Sequence, residues 1–217
     1  MEEQKKKARS AWKGSGDVKT DKLWFEIFEK HGSTEFVGYE NLKTQGSIIQ
    51  IIKNNKSTNK IKQTDKAIIV TNQTSFYGES GGQIGDSGLI KFNNNEFKVL
   101  DTKKILKIHL HYGIVIKGQF KKNETVNLVV DKKKRDRIKI YHSATHLLHA
   151  SLRQILGTHV TQKGSLISFD RLRFDFSYSK SISDIDIELR DNMEDNEYLN
   201  ILSKNLKKLN QNKYDFV

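Results

Sequence analysis

The sequence predicts an α+β protein: a small antiparallel β-barrel followed by an α/β core built round one long helix. Three observations predict it. Between about residues 34 and 131, short apolar runs such as GSIIQIIKN, KAIIVTNQT and KIHLHYGIVIKG recur with turn-forming residues between them. Short strands at that spacing suggest a barrel. From about Asp136 to Leu156 the apolar period becomes three to four, which is helical. After Gly157, HVTQKGSLISF and RLRFDFSY read as a strand pair around a turn at Asp170. The expected division is a helical linker over 1–33, a barrel over 34–131 and a core over 132–217.

The chain has 217 residues and a formal charge of +12, with no cysteine and no proline. Without cysteine there is no disulfide and no thiolate metal ligand. A basic excess of this size points to a polyanionic partner, nucleic acid first. Lys- and Asn-rich stretches such as IIKNNKSTNKIKQ also follow from an AT-rich coding sequence, so charge alone does not decide. No apolar run approaches the roughly 18 residues of a membrane span, and the N-terminus lacks the apolar centre of a secretory signal. The expectation is a soluble cytoplasmic protein without a membrane partner.

Taken in order, MEEQKKKARSAWK reads as a short charged helix broken by Gly14–Gly16. TDKLWFEIFEK follows as an amphipathic helix with Leu23, Trp24, Ile27 and Phe28 on one stripe. Those aromatics suit packing better than ligand contact. The strands then run through TEFVGYENL to NETVNLVVD, with turns expected at Gly88 and at Asn93–Asn95. Inside the barrel lies TSFYGESGGQIGDSG, residues 74–88, with five glycines. It lacks the G-K-[ST] ending of a phosphate loop. It serves either as a tight crossover or as a pocket wall built from backbone.

KKKRDRIK, residues 132–139, carries six basic side chains and one acid. It is either a solvated linker or an edge for phosphates, with Lys132, Lys133, Lys134, Arg135 and Arg137 as the contacts. On the helix, Tyr141, Ala144, Leu148, Leu152 and Ile155 form one stripe. His142, His146, His149 and Arg153 form a second, rotated by roughly 100°. Two imidazoles four apart stand one turn above each other and can grip one metal ion. Gly157 ends the helix. Period-two alternation puts Arg171, Arg173 and Asp175 on one face and Leu172, Phe174 and Phe176 on the other. Beyond Tyr178, weak periodicity at Leu199, Leu202, Leu206 and Leu209 suggests one or two helices.

HSATHLLHASLRQILGTHVTQKGS followed by RLRFDF resembles the editing domain of the alanyl-tRNA synthetase family. TSFYGESGGQIGDSG resembles the glycine-rich motif of the barrel preceding it. EEQKKKAR and TEFVGYENL resemble the stretch joining that enzyme's tRNA-recognition region to its editing domain. These motifs cover most of residues 1–178, in the family's order. Free-standing editing proteins share two of them but usually begin near the barrel, so the resemblance favours a fragment of a synthetase.

The resemblance implies an editing core that hydrolyses serine or glycine wrongly esterified to tRNA(Ala), with the tRNA acceptor end as partner. It makes His142 and His146 two zinc ligands. It gives Thr145 and Gln162 catalytic positions, Thr145 facing the hydroxyl of a mischarged serine. Ser165 lines the pocket, Phe174 and Phe176 pack its apolar side, and Gln83 and Asp86 belong to its glycine-rich motif. Arg153 is a candidate contact to the tRNA end. The family completes its zinc site with a downstream C-x-x-x-H; this sequence has no cysteine, and its last histidine is His159. ATP-dependent charging would belong to a domain of the parent enzyme outside this sequence. The alternatives are a module that binds the acceptor end without hydrolysis, or a free-standing editing protein.

Overall fold

The structure, a computed structural model, describes residues 18–178. The helices expected at 1–13 and after Tyr178 lie outside those residues. The described chain divides into two compact units: one takes the residues up to Glu79 together with Gly85–Asp131, the other takes Ser80–Ile84 together with Lys132 onward.

The first unit opens with helix α1, Val18–His31. Strand β1, Glu35–Phe36, follows, then β2, Lys43–Lys53; β3, Lys56–Thr58; β4, Lys60–Lys62; β5, Lys66–Thr71; and β6, Gln73–Thr74. After the glycine-rich segment come β7, Gly88–Phe92; β8, Asn95–Ile105; β9, Ile108–Lys117; β10, Gln119–Lys121; and β11, Thr125–Val130. The sheet order β11–β7–β8–β9–β5–β2 closes on itself because β2 also pairs antiparallel with β11, from Ser47↔Thr125 to Lys43↔Val129. The result is a six-stranded antiparallel barrel, as the closely spaced short strands predict. The three-residue strands β3, β4 and β10 are too short to leave a period-two signal.

A register shift between Ile48 and Gln50 turns Ile48 and Ile51 to the same side of β2. Both are fully buried in the barrel interior with Ile69, Ile90, Phe97 and Phe120. Trp24 and Ile27 of α1 pack instead with Ile52, Val70, Ile108 and Leu110 in a second cluster. The apolar stripe of α1 is therefore a packing stripe, as expected. Burial of each such side chain contributes about 1.5–3 kcal/mol.

Asn93, at φ +52, makes the expected β7–β8 turn. Gly88 does not make a turn. It is the first residue of β7, paired with Val99 and Val130, and a Cβ there would collide with the Val129 carbonyl. Close approach of β11, rather than chain reversal, requires the glycine.

Two histidines are buried in this unit. His111 Nδ1 donates to the Ile69 carbonyl at 2.9 Å, which leaves its Nε2 to accept from Thr74 Oγ1 at 2.8 Å. Thr74 Oγ1 in turn accepts the Phe76 N–H at 3.1 Å. That set suits a neutral ring. Burial pushes the pKa of His111 down to about 4, and burial together with Lys104 does the same to His109. Both folded values lie below the unfolded value of about 6.5. Their contribution is complete above about pH 6.5 and is lost as pH falls toward 4. Between those limits the barrel should lose up to about 1.4 kcal/mol per pH unit for each histidine. Urea midpoints taken from pH 7 to pH 4.5 check this; His111→Asn should flatten the slope, and an unchanged slope would refute the assignment.

In the second unit, helix α2 spans Lys132–Leu156, and β12, Thr161–Ile167, pairs antiparallel with β13, Leu172–Ser177. The helix begins four residues before the expected Asp136. The run KKKR is thus its first turn and not a linker. Asp131, immediately before it, is a favoured N-cap residue type. Gly157, at φ +111, donates to the Arg153 carbonyl at 3.0 Å and closes the helix.

Candidate functional site

The site is built in the second unit from three pieces of chain. The first is the turn Ser80–Gly81–Gly82–Gln83. Ser80 and Gln83 exchange backbone hydrogen bonds of 3.1 and 3.0 Å, and Gly81 and Gly82 have φ of +61° and +83°. Two positive φ values in succession define a tight hairpin turn for which Gly-Gly is suited. Ile84 N–H then donates to the Ile167 carbonyl at 3.0 Å, and Ile167 N–H to the Gly82 carbonyl at 2.8 Å. The turn is thereby fastened to the end of β12. A Cβ on Gly82 would strike Ser165 Oγ and its carbonyl, so the glycine also permits the contact.

The second piece is α2. His142 and His146 stand one turn apart, ring centroids 5.0 Å from each other. His142 is half-buried and His146 exposed. His142 Nδ1 lies 2.8 Å from Gln83 Oε1. An amide oxygen only accepts, so Nδ1 carries the proton and the Nε2 lone pair is presented in a fixed direction. Thr145 is buried, and its hydroxyl donates to the Tyr141 carbonyl at 2.8 Å. Its oxygen lone pairs remain for a second donor.

The third piece is the β12–β13 pair. Gln162 and Ser165 are three apart, which on a regular strand would send them to opposite faces. The register shifts between Gln162 and Gly164: Gln162 pairs with Phe176, and Ser165 with Phe174. The extra residue, Lys163, returns both polar side chains to the face carrying Phe174 and Phe176. Those two rings stack 6.1 Å apart, and the His149 ring lies 5.2 Å from Phe174.

The structure therefore brings Gln83, His142, Ser165 and Phe174 into one connected set. Asp86 does not join it. That residue is buried in the first unit, where its Oδ2 accepts the Tyr77 N–H at 2.6 Å and its carbonyl accepts Thr102 Oγ1 at 2.8 Å. It closes the base of the glycine-rich segment. Of the basic candidates, Lys132, Lys133, Arg137 and Arg153 are exposed. Lys132 pairs with Asp136, and Lys134 Nζ lies 4.6 Å over the Phe169 ring. Arg135 is only 4% exposed, so it is not displayed for a phosphate.

Zinc suits the helix only in part. Two imidazoles four apart supply two ligands, but no cluster of three or more His, Cys, Asp or Glu that could hold a metal ion occurs among the described residues. Two ligands are half a tetrahedral shell. The described residues do not fit a complete zinc site. Among the described residues, no helix is long and apolar enough to cross a membrane.

Comparison of the sequence with known families identifies the class of protein. The chain belongs to the class II tRNA synthetases (A), whose family model matches residues 1–134. Within that class it is similar to alanine--tRNA ligases. It is 50% identical to the one from Rickettsia felis over 188 residues and to the one from Rhizorhabdus wittichii over 189, in each case 86% of this chain. The chain spans about a fifth, 21%, of the length of these relatives.

Proposed function

We propose that this chain carries the editing portion of an alanine--tRNA ligase, which hydrolyses serine or glycine wrongly esterified to tRNA(Ala). The observation that supports it is the hydrogen bond from His142 to Gln83. It joins two motifs 59 residues apart that the resemblance assigns to one pocket. The chemistry has a clear purpose. A pocket shaped for alanine discriminates poorly against a side chain one hydroxyl larger or one methyl smaller, so a second site that clears errors is useful.

Ester hydrolysis requires a water held at the carbonyl and a group to take its proton. Thr145 has lone pairs for the serine hydroxyl; Gln162 and Ser165 offer polar groups on the face walled by Phe174 and Phe176. Lys132, Lys133, Arg137 and Arg153 suit phosphates of the acceptor end. His142 and His146 would contribute two ligands to a zinc ion. Charging with alanine and ATP is left to the remainder of the parent ligase.

A second reading is a module that binds the acceptor end without hydrolysing it. The two-ligand half-site favours it. Release of serine from seryl-tRNA(Ala), with zinc supplied and a no-enzyme control, separates the two. Faster release supports editing; no release from a folded, tRNA-binding sample leaves the binding module.

A further inference from the structure

His149 is a residue that neither the family resemblance nor the zinc half-site uses. It lies three residues after His146, on the same stripe of α2 as His142 and His146. Its Nε2 is buried and has no hydrogen-bond partner among the described residues. Buried polar atoms in native structures are nearly always paired, so an orphan beside residues of the candidate site calls for a partner that arrives later. Its neighbours say what kind. The imidazole lies 5.2 Å from Phe174, whose ring stacks on Phe176 at 6.1 Å. Phe174 pairs across the sheet with Ser165, and Ser165 abuts Gly82, next to Gln83 and so to His142. His149 thus closes a ring of contacts that begins at His142 and returns to the same helix two turns on.

The geometry points to His149 as a substrate-binding residue that receives the α-amino group of the 3′-aminoacyl end. An imidazole nitrogen accepts a hydrogen bond from an ammonium, and aromatic faces attract its charge. An imidazole with an orphan nitrogen, its ring beside two stacked phenyl rings, is a combination suited to a primary amine. The amine is common to serine and glycine, so this contact binds both and leaves side-chain discrimination to other residues. The inference rests on the proposal above that an aminoacyl end occupies this pocket.

The test uses the full chain and a probe that cannot be hydrolysed: an acceptor-stem minihelix ending in 3′-seryl-amino-3′-deoxyadenosine. One form has a free α-amine and the other is N-acetylated. The wild type should bind the free amine about tenfold more tightly, the scale of one charge-assisted hydrogen bond. His149→Phe keeps a ring against Phe174 and should erase that preference; His149→Gln, which returns a polar atom near the Nε2 position, should restore part of it. Equal affinity for the two probes, no binding of either, or a preference that survives His149→Phe would overturn the inference. If His149→Phe fails to fold, the ¹⁵N shift of wild-type His149 Nε2 decides. It should move with the free amine and not with the acetylated probe, and an unmoved signal overturns the assignment. An intact amine preference without serine release would sink the editing proposal alone.

Discussion

On the proposed editing function, replacing Gln83 with alanine should lower the rate of serine release by about 10–100-fold, the usual cost of removing the hydrogen-bond partner that orients a metal-ligating histidine. The argument is local. Gln83 sits at the end of a two-glycine turn, and its Oε1 fixes the Nδ1–H of His142 at 2.8 Å. Without it the ring can rotate and exchange tautomers, so Nε2 is no longer presented in one direction. Gln83 acts through His142 and is a positioning residue. The effect should therefore fall on kcat, with KM for the tRNA almost unchanged. Gln83→Glu retains an oxygen acceptor and should recover part of the rate. An unchanged kcat in Gln83→Ala would remove the turn from the site.

Replacing Phe97 with alanine should destabilise the barrel by about 3–5 kcal/mol, the range for emptying a buried aromatic position. Phe97 is fully buried and meets Phe120 edge to face, centroids 6.2 Å apart. It lies on β8, whose neighbours β7 and β9 are both strands of the closed barrel, so the walls cannot collapse far into the space. Leu100 on the same strand is 57% exposed, and Leu100→Ala should stay within about 0.5 kcal/mol. Urea unfolding of both variants tests the pair. A loss below 1 kcal/mol for Phe97→Ala would mean that the barrel interior is not closely packed.

The barrel was legible because its apolar runs are short and closely spaced, with turn-forming residues between them. GSIIQIIKN and KIHLHYGIVIKG carry more apolar residues than one face needs, and the surplus forms the second cluster under α1, whose stripe was also legible. Gly88 was misread because sequence does not distinguish a glycine that reverses the chain from one against which another strand lies. The start of α2 was misread because Lys132–Arg135 lack an apolar residue to mark a helical face. The candidate site was legible as residue types, through the histidine spacing and the family resemblance. Its geometry was not. The link between Gln83 and His142 spans 59 positions, and the shift at Lys163 that turns Gln162 and Ser165 to one side breaks the period-two rule that a sequence reading depends on.

The allocation of Ser80–Ile84 to the second unit has a consequence for how this region can be taken apart. A gene divided at the obvious seam, between Asp131 and Lys132, would encode a barrel that keeps Gln83 and a helix that keeps His142. Neither product would contain the pair. The two units are distinct as folded bodies yet indivisible as genetic parts, so transplanting, permuting or dissecting them must carry the barrel along merely to deliver five residues.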